Sequence, residues 1–192
     1  AVAADQSAAE ITIPQRPEQL EFEPIEFEVP RAEEYRHELD NGIVAYVGED
    51  HALPLVSLSV TVRSGAFVDP EDKPGVASMT GTMLRNGGTE NLTPAEFDER
   101  ADFLAAQISS FGGSTRSGAS LNCLSYKLDA CLDLFFEMLR KPGFDQERLD
   151  VEKSNQIESM KQRNDDPRRI ASRKWSWLMR GREHFTGRAL TS

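Results

Sequence analysis

At 192 residues the chain is long enough for a domain with a sizeable core, and 39% hydrophobic against 28% charged residues excludes a disordered composition. No run approaches the ~20 apolar residues of a membrane span. A net charge of -10 argues against a nucleic-acid partner.

The first 34 residues are predicted to form an extended acidic arm, with the main domain running from 35 to 192. Nine acids stand against two arginines in this arm, and Pro14, Pro17, Pro24 and Pro30 interrupt any regular element. Phe22, Ile25, Phe27 and Val29 sit among the acids, which suits a segment laid along a surface. The opposite charge gathers near the other end, where residues 161–188 hold nine bases and three acids. The two ends could meet within the molecule or across an interface, or both could be solvated surfaces. Ala1-Val2-Ala3-Ala4 before a polar run reads either as a mature start left by signal-peptide removal, hence export, or as a boundary of other origin.

Tyr35–Leu39 and Ile43–Val47 flank Asp40-Asn41-Gly42, a hairpin signal. Val56, Leu58, Val60 and Val62 alternate within 54–66, as in a half-buried strand. After the turn at Lys73-Pro74-Gly75 comes a helix with Val76, Met79, Thr80, Met83 and Leu84 at helical spacing, ending at Asn86-Gly87-Gly88. Thr93-Pro94-Ala95-Glu96 is a capping box with proline at the first helical position. Phe97, Ala101, Leu104 and Ala105 mark the buried face behind it. Strands are predicted near 106–111 and 117–128, joined through Gly112-Gly113. The next helix carries Leu128, Cys131, Leu132, Phe135 and Leu139 on one face, and two more helices over 145–163 and 167–180 are split by Asp165-Asp166-Pro167. Cys123 and Cys131 lie in apolar patterns, so buried free thiols are expected. Hairpin-linked strands beside segregated helices predict an α+β domain with a largely antiparallel sheet flanked by helices.

Several pieces, taken in order, resemble the pitrilysin/insulinase family of zinc metallopeptidases. They are Leu39 to Val47, Leu53-Pro54-Leu55-Val56, Gly65 to Pro70, Lys73 to Ala77, Gly88-Thr89, Pro142-Gly143-Phe144, Glu147-Arg148, Asp165-Asp166-Pro167 and Gly187-Arg188. Each is weak alone; the ordered set is specific. The resemblance implies the N-terminal domain of such a subunit, incomplete at its C-terminus, with the LuxS/mitochondrial-processing-peptidase-like metallohydrolase fold.

In that family the helix after the Pro-Gly turn carries His-x-x-Glu-His. Two histidines four residues apart reach one zinc, and the glutamate takes a proton from the zinc-bound water. A later helix supplies a third, glutamate ligand. Here the resemblance puts Ser78 and Thr82 at the histidine positions, Gly81 at the general-base position and Ser159 at the third-ligand position. Glu158 is adjacent, but points about 100° away on a helix. Neutral hydroxyls are poor zinc ligands and glycine moves no proton. The remaining histidines, His37, His51 and His184, share no ligand spacing.

The implied function is that of a non-catalytic subunit of a heterodimeric peptidase, with no cofactor of its own and zinc expected only in a partner. Its implied partners are a zinc-bearing homologous subunit, a second domain of its own subunit and the peptide substrate of the complex. A bacterial, periplasmic or otherwise exported setting is implied, and substrate-binding residues are not identifiable. A structural or assembly subunit with no role in proteolysis is the alternative. A stand-alone enzyme with displaced metal chemistry is the third reading.

Overall fold

A computed structural model describes residues 29–188. Most of the acidic arm, the Ala1-Val2-Ala3-Ala4 start and the last four residues therefore lie outside the described residues. The chain divides into two compact units, one ending at Asp50 and one beginning at His51.

The first unit holds a 3-10 turn, Ala32–Tyr35, and the expected hairpin of β1 (Arg36–Glu38) and β2 (Val44–Tyr46). The strands pair antiparallel with His37 opposite Ala45. The turn closes because Gly42 adopts φ +79°, and because the Ile43 N–H donates to Asn41 Oδ1 at 3.1 Å.

The second unit runs β3 (Leu55–Val62), α1 (Val76–Asn86), α2 (Pro94–Leu104), β4 (Gln107–Gly112), β5 (Ser117–Leu124), α3 (Leu128–Arg140), α4 (Gln146–Gln162) and α5 (Pro167–Arg180). Three strands form an antiparallel sheet in the order β3-β5-β4. With the hairpin, this is the α+β class expected from hairpin-linked strands beside segregated helices.

Strand period fixes the two faces of that sheet. Val56 opposes Cys123, Leu58 opposes Leu121 and Val60 opposes Ala119, while Ile108 of β4 meets Leu121 from the other side. These residues face the core with Phe97, Ala101 and Leu104 of α2 and Cys131, Leu134, Phe135 and Met138 of α3. The opposite face carries small polar groups, and Ser109 and Ser120 share a hydroxyl hydrogen bond of 2.8 Å across β4 and β5.

The α2 capping box forms as read. The Thr93 N–H donates to Glu96 Oε2 at 2.8 Å and the Glu96 N–H donates to Thr93 Oγ1 at 3.3 Å. The Thr93 N–H and, second to it, the Thr93 hydroxyl, which donates to Glu96 Oε2 at 2.7 Å, hold the Glu96 carboxyl below its ordinary range.

Helix faces depart from the sequence pattern at their ends. Ala105 is exposed at the C-cap of α2 with φ 52°, and Ala106 is buried in its place. On α3 the buried face extends to Leu134 and Met138, because packing against both β5 and α2 widens the stripe beyond one spacing. β5 stops at Leu124, where a 3-10 turn (Ser125–Lys127) leads directly into α3.

Cys123 on β5 and Cys131 on α3 are both buried and free. Burial, and secondarily the neighbouring Cys131, pushes the Cys123 thiol up to about 11. A raised folded-state value means stability is whole below the unfolded thiol value of about 8.5 and is lost as pH rises towards 11. Denaturation midpoints should therefore fall across that alkaline window, and Cys123→Ala should flatten the slope. A slope unchanged in that variant would assign the effect elsewhere.

Candidate functional site

The helix expected to carry the chemistry is α1, and its position is set by three fixtures. Its first turn has no side-chain cap of its own, because Gly75 stands at the N-cap with φ 100°. The buried carboxylate of Asp69 supplies the cap, accepting from the Gly75 N–H through Oδ2 and from the Ala77 N–H through Oδ1, both at 2.8 Å.

In the last turn, Arg85 Nε donates to the Ile108 carbonyl of β4 at 3.0 Å and Nη1 pairs with Asp98 of α2 at 2.6 Å. Its guanidinium also lies 5.0 Å from the centre of the Phe97 ring.

The third fixture is backbone contact in the middle of the helix. Gly81 is buried, and a Cβ built there would fall inside the backbone of Phe111 and Gly112 on β4. The converse holds as well: a Cβ at Gly112 would strike the Ala77 carbonyl. Ser110 Oγ donates to the Gly81 carbonyl at 2.6 Å, fastening α1 to β4 where they touch. This contact explains why the apolar spacing read from sequence is incomplete. The buried positions of α1 are Gly81 and Met83, while Val76 and Thr80 are exposed.

On another side of α1 a groove of about 570 Å³ opens towards α4. Ser78 and Thr82 line it from α1 and Ser159 lines it from α4. The structure thus brings together three of the four positions singled out in the sequence, although Ser159 is 77 residues from Thr82 along the chain. Gly81 is not among the lining residues; it is spent on the contact with β4.

Glu152, Asn155 and Gln156 also line the groove, as do Lys73 and Lys153. Sequence reading passed over these. Glu152, Asn155 and Gln156 could have been found by stepping back from Ser159 in threes and fours along α4.

This donor set does not fit zinc. Its three hydroxyls are neutral and poor zinc ligands beside imidazole or carboxylate, and Thr82 Oγ1 already donates to the Ser78 carbonyl at 3.2 Å. Glu152, the groove's carboxylate, accepts from Asn86 Nδ2 at 3.1 Å, and the ammonium group of Lys153 stands in the same lining. Among the described residues, no three His, Cys, Asp or Glu side chains gather where they could share a metal ion. His37 lies in β1, and His184 follows α5, where its Nδ1 bonds Thr186 Oγ1 at 2.8 Å.

A helix laid against the edge strand of an antiparallel sheet, with a second helix across a groove from it, is an α+β arrangement. The sequence model of the insulinase family (peptidase family M16) matches residues 45–179, and the chain belongs to that family. The peptidase M16 inactive domain from Pseudomonas fluorescens superposes with a TM-score of 0.74 at 24% identity, over 80% of this chain and 37% of that one. A protease from Helicobacter pylori gives a TM-score of 0.57 at 18% identity, over 70% of this chain and 32% of that one. The periplasmic protease PqqL from Escherichia coli gives 0.63 at 11% identity, over 76% of this chain and 16% of that one. The chain therefore spans well under half the length of each of these proteins, and at these identities the likeness is one of fold. Comparison with curated proteins finds no match.

The contact through Gly81 has a direct test. Gly81→Ala improves intrinsic helix propensity by about 1 kcal/mol. It should nonetheless lower the unfolding free energy by about 1–3 kcal/mol, the usual cost of overpacking, because backbone cannot move aside as a side chain does. Denaturant titration checks this; an unchanged or raised midpoint would mean that α1 does not sit on β4 as described.

Proposed function

We propose that this chain is a non-catalytic member of an insulinase-type peptidase complex, contributing to substrate binding and chamber closure beside a zinc-bearing homologous subunit. The observation that carries the reading is the groove between α1 and α4. It is lined by Ser78, Thr82 and Ser159 where the family resemblance expects ligands. The residue at the general-base position, Gly81, has no side chain and no room for one. Three hydroxyl positions lining one groove, with the fourth position packed against β4, argue against an active centre altered at a single step.

The similarity to a domain described as inactive supports the same reading, and that to a periplasmic protease is compatible with an exported setting. In this account residues 1–34 are an acidic arm, 35–192 belong to the family domain, and a further domain of the same subunit accompanies it. The chain itself needs no cofactor; zinc belongs to the partner.

Two experiments test the proposal. Ser78→His/Thr82→His should hydrolyse no unfolded peptide, because the base and the third ligand remain missing. Proteolytic product from that variant would show that the four positions are not those of the site. Reconstitution with a zinc-bearing homologue should raise the partner's peptide turnover. If the partner's activity is the same with and without this chain, the structural or assembly role is the better reading.

A further inference from the structure

The helix α5 has a surface that the groove chemistry does not use. It buries none of its residues fully, yet it is rich in the side chains that dominate binding interfaces, tryptophan and arginine. Trp175, Leu178 and Met179 stand at i, i+3 and i+4 and are 63%, 77% and 61% exposed, forming one outward apolar stripe. A second stripe, Arg169, Arg173 and Arg180, runs along another side of the helix.

Between these features lies a concave surface of about 890 Å³, lined by arginines including Arg168 and Arg180 together with Trp175 and Met179. The helix holds this shape through Trp177. Its Nε1 donates to the Gly187 carbonyl at 2.7 Å, and Arg182 stacks 4.6 Å from its ring centre.

The positive charge here is largely uncompensated. Arg169 meets Asp166 at 3.6 Å and Arg188 meets Glu71 at 3.7 Å. Arg168, Lys174, Arg180 and Arg182 have no carboxylate partner among the described residues. In a chain of net charge -10, a segment with nine bases and three acids is a concentrated exception.

We propose that this face of α5 is a docking site for an acidic polypeptide segment in which carboxylates alternate with apolar side chains. The guanidinium groups would take the carboxylates, and the Trp175 stripe would take the apolar side chains. Single-stranded nucleic acid offers phosphates, and bases that could stack on Trp175, but no aliphatic groups for Leu178 and Met179. A lipid surface is flat, and it could meet the outward stripe of the helix but not enter the concavity that arginines line together with Trp175 and Met179. An extended chain satisfies both, with complementary charge setting its orientation. The proposal is independent of the zinc-less reading, since it uses no residue of the α1–α4 groove.

The test uses the full chain and a labelled synthetic peptide of alternating glutamate and phenylalanine or leucine, followed by fluorescence anisotropy. The same peptide with glutamine for glutamate should bind at least about tenfold more weakly, and binding of the acidic form should weaken with added salt. Arg168→Glu/Arg180→Glu and, separately, Trp175→Ser/Leu178→Ser should each reduce affinity about tenfold. Arg168→Lys/Arg180→Lys should retain most of it. Equal binding of the two peptides, or binding of neither, would overturn the proposal. So would arginine-dependent binding to phosphatidylglycerol vesicles without peptide binding. The comparison of the two peptides on the unaltered chain decides the matter even where a variant fails to fold.

Discussion

The close approach of α1 to β4 through Gly81 and Gly112 is the constraint on which the site depends. Helices usually rest on sheets through layers of side chains. Here the two backbones touch, with the Ser110 hydroxyl bonded to the Gly81 carbonyl and the Gly112 Cα facing the Ala77 carbonyl. Arg85 then binds a β4 carbonyl one turn further along, and the Asp69 carboxylate holds the beginning of the helix. The helix is thereby fixed at both ends and in the middle, and the direction of every other α1 side chain follows.

That position accounts for what the groove contains. Ser78 and Thr82 project towards α4 because the neighbouring face is taken up by the sheet. A glutamate at position 81 would have to displace β4 or tilt the helix. The residue at position 81 is thus coupled to the packing of the domain, in a way that those at 78 and 82 are not. Changing Ser78 or Thr82 alters the chemistry of an exposed or half-buried groove wall; changing Gly81 alters the architecture.

Much of the fold was legible because local signals agreed with one another. Asp40-Asn41-Gly42, Thr93-Pro94-Ala95-Glu96 and Asp166-Pro167 fix a hairpin and two helix starts through side-chain and backbone chemistry that acts within a few residues. Ser78, Thr82 and Ser159 were singled out through the family resemblance, and all three line one groove. The role of Gly112 was not. Beside Gly113 it reads as a turn, and only the folded chain places it against a helix some thirty residues earlier. The outward turn of Val76 and Thr80 follows from the same contact, since a buried glycine contributes nothing to an apolar pattern. Glycine packing of this kind is invisible to hydrophobic periodicity, which registers side chains and not their absence.

The central claim is that the groove between α1 and α4 has no metal chemistry of its own. Elemental analysis of the purified chain, equilibrated with zinc or manganese and then desalted, measures this most directly when paired with melting curves before and after chelation. The account predicts well under one metal ion per chain and the same melting temperature in both curves. Near-stoichiometric metal, removed by the chelator with a fall in melting temperature, would contradict it.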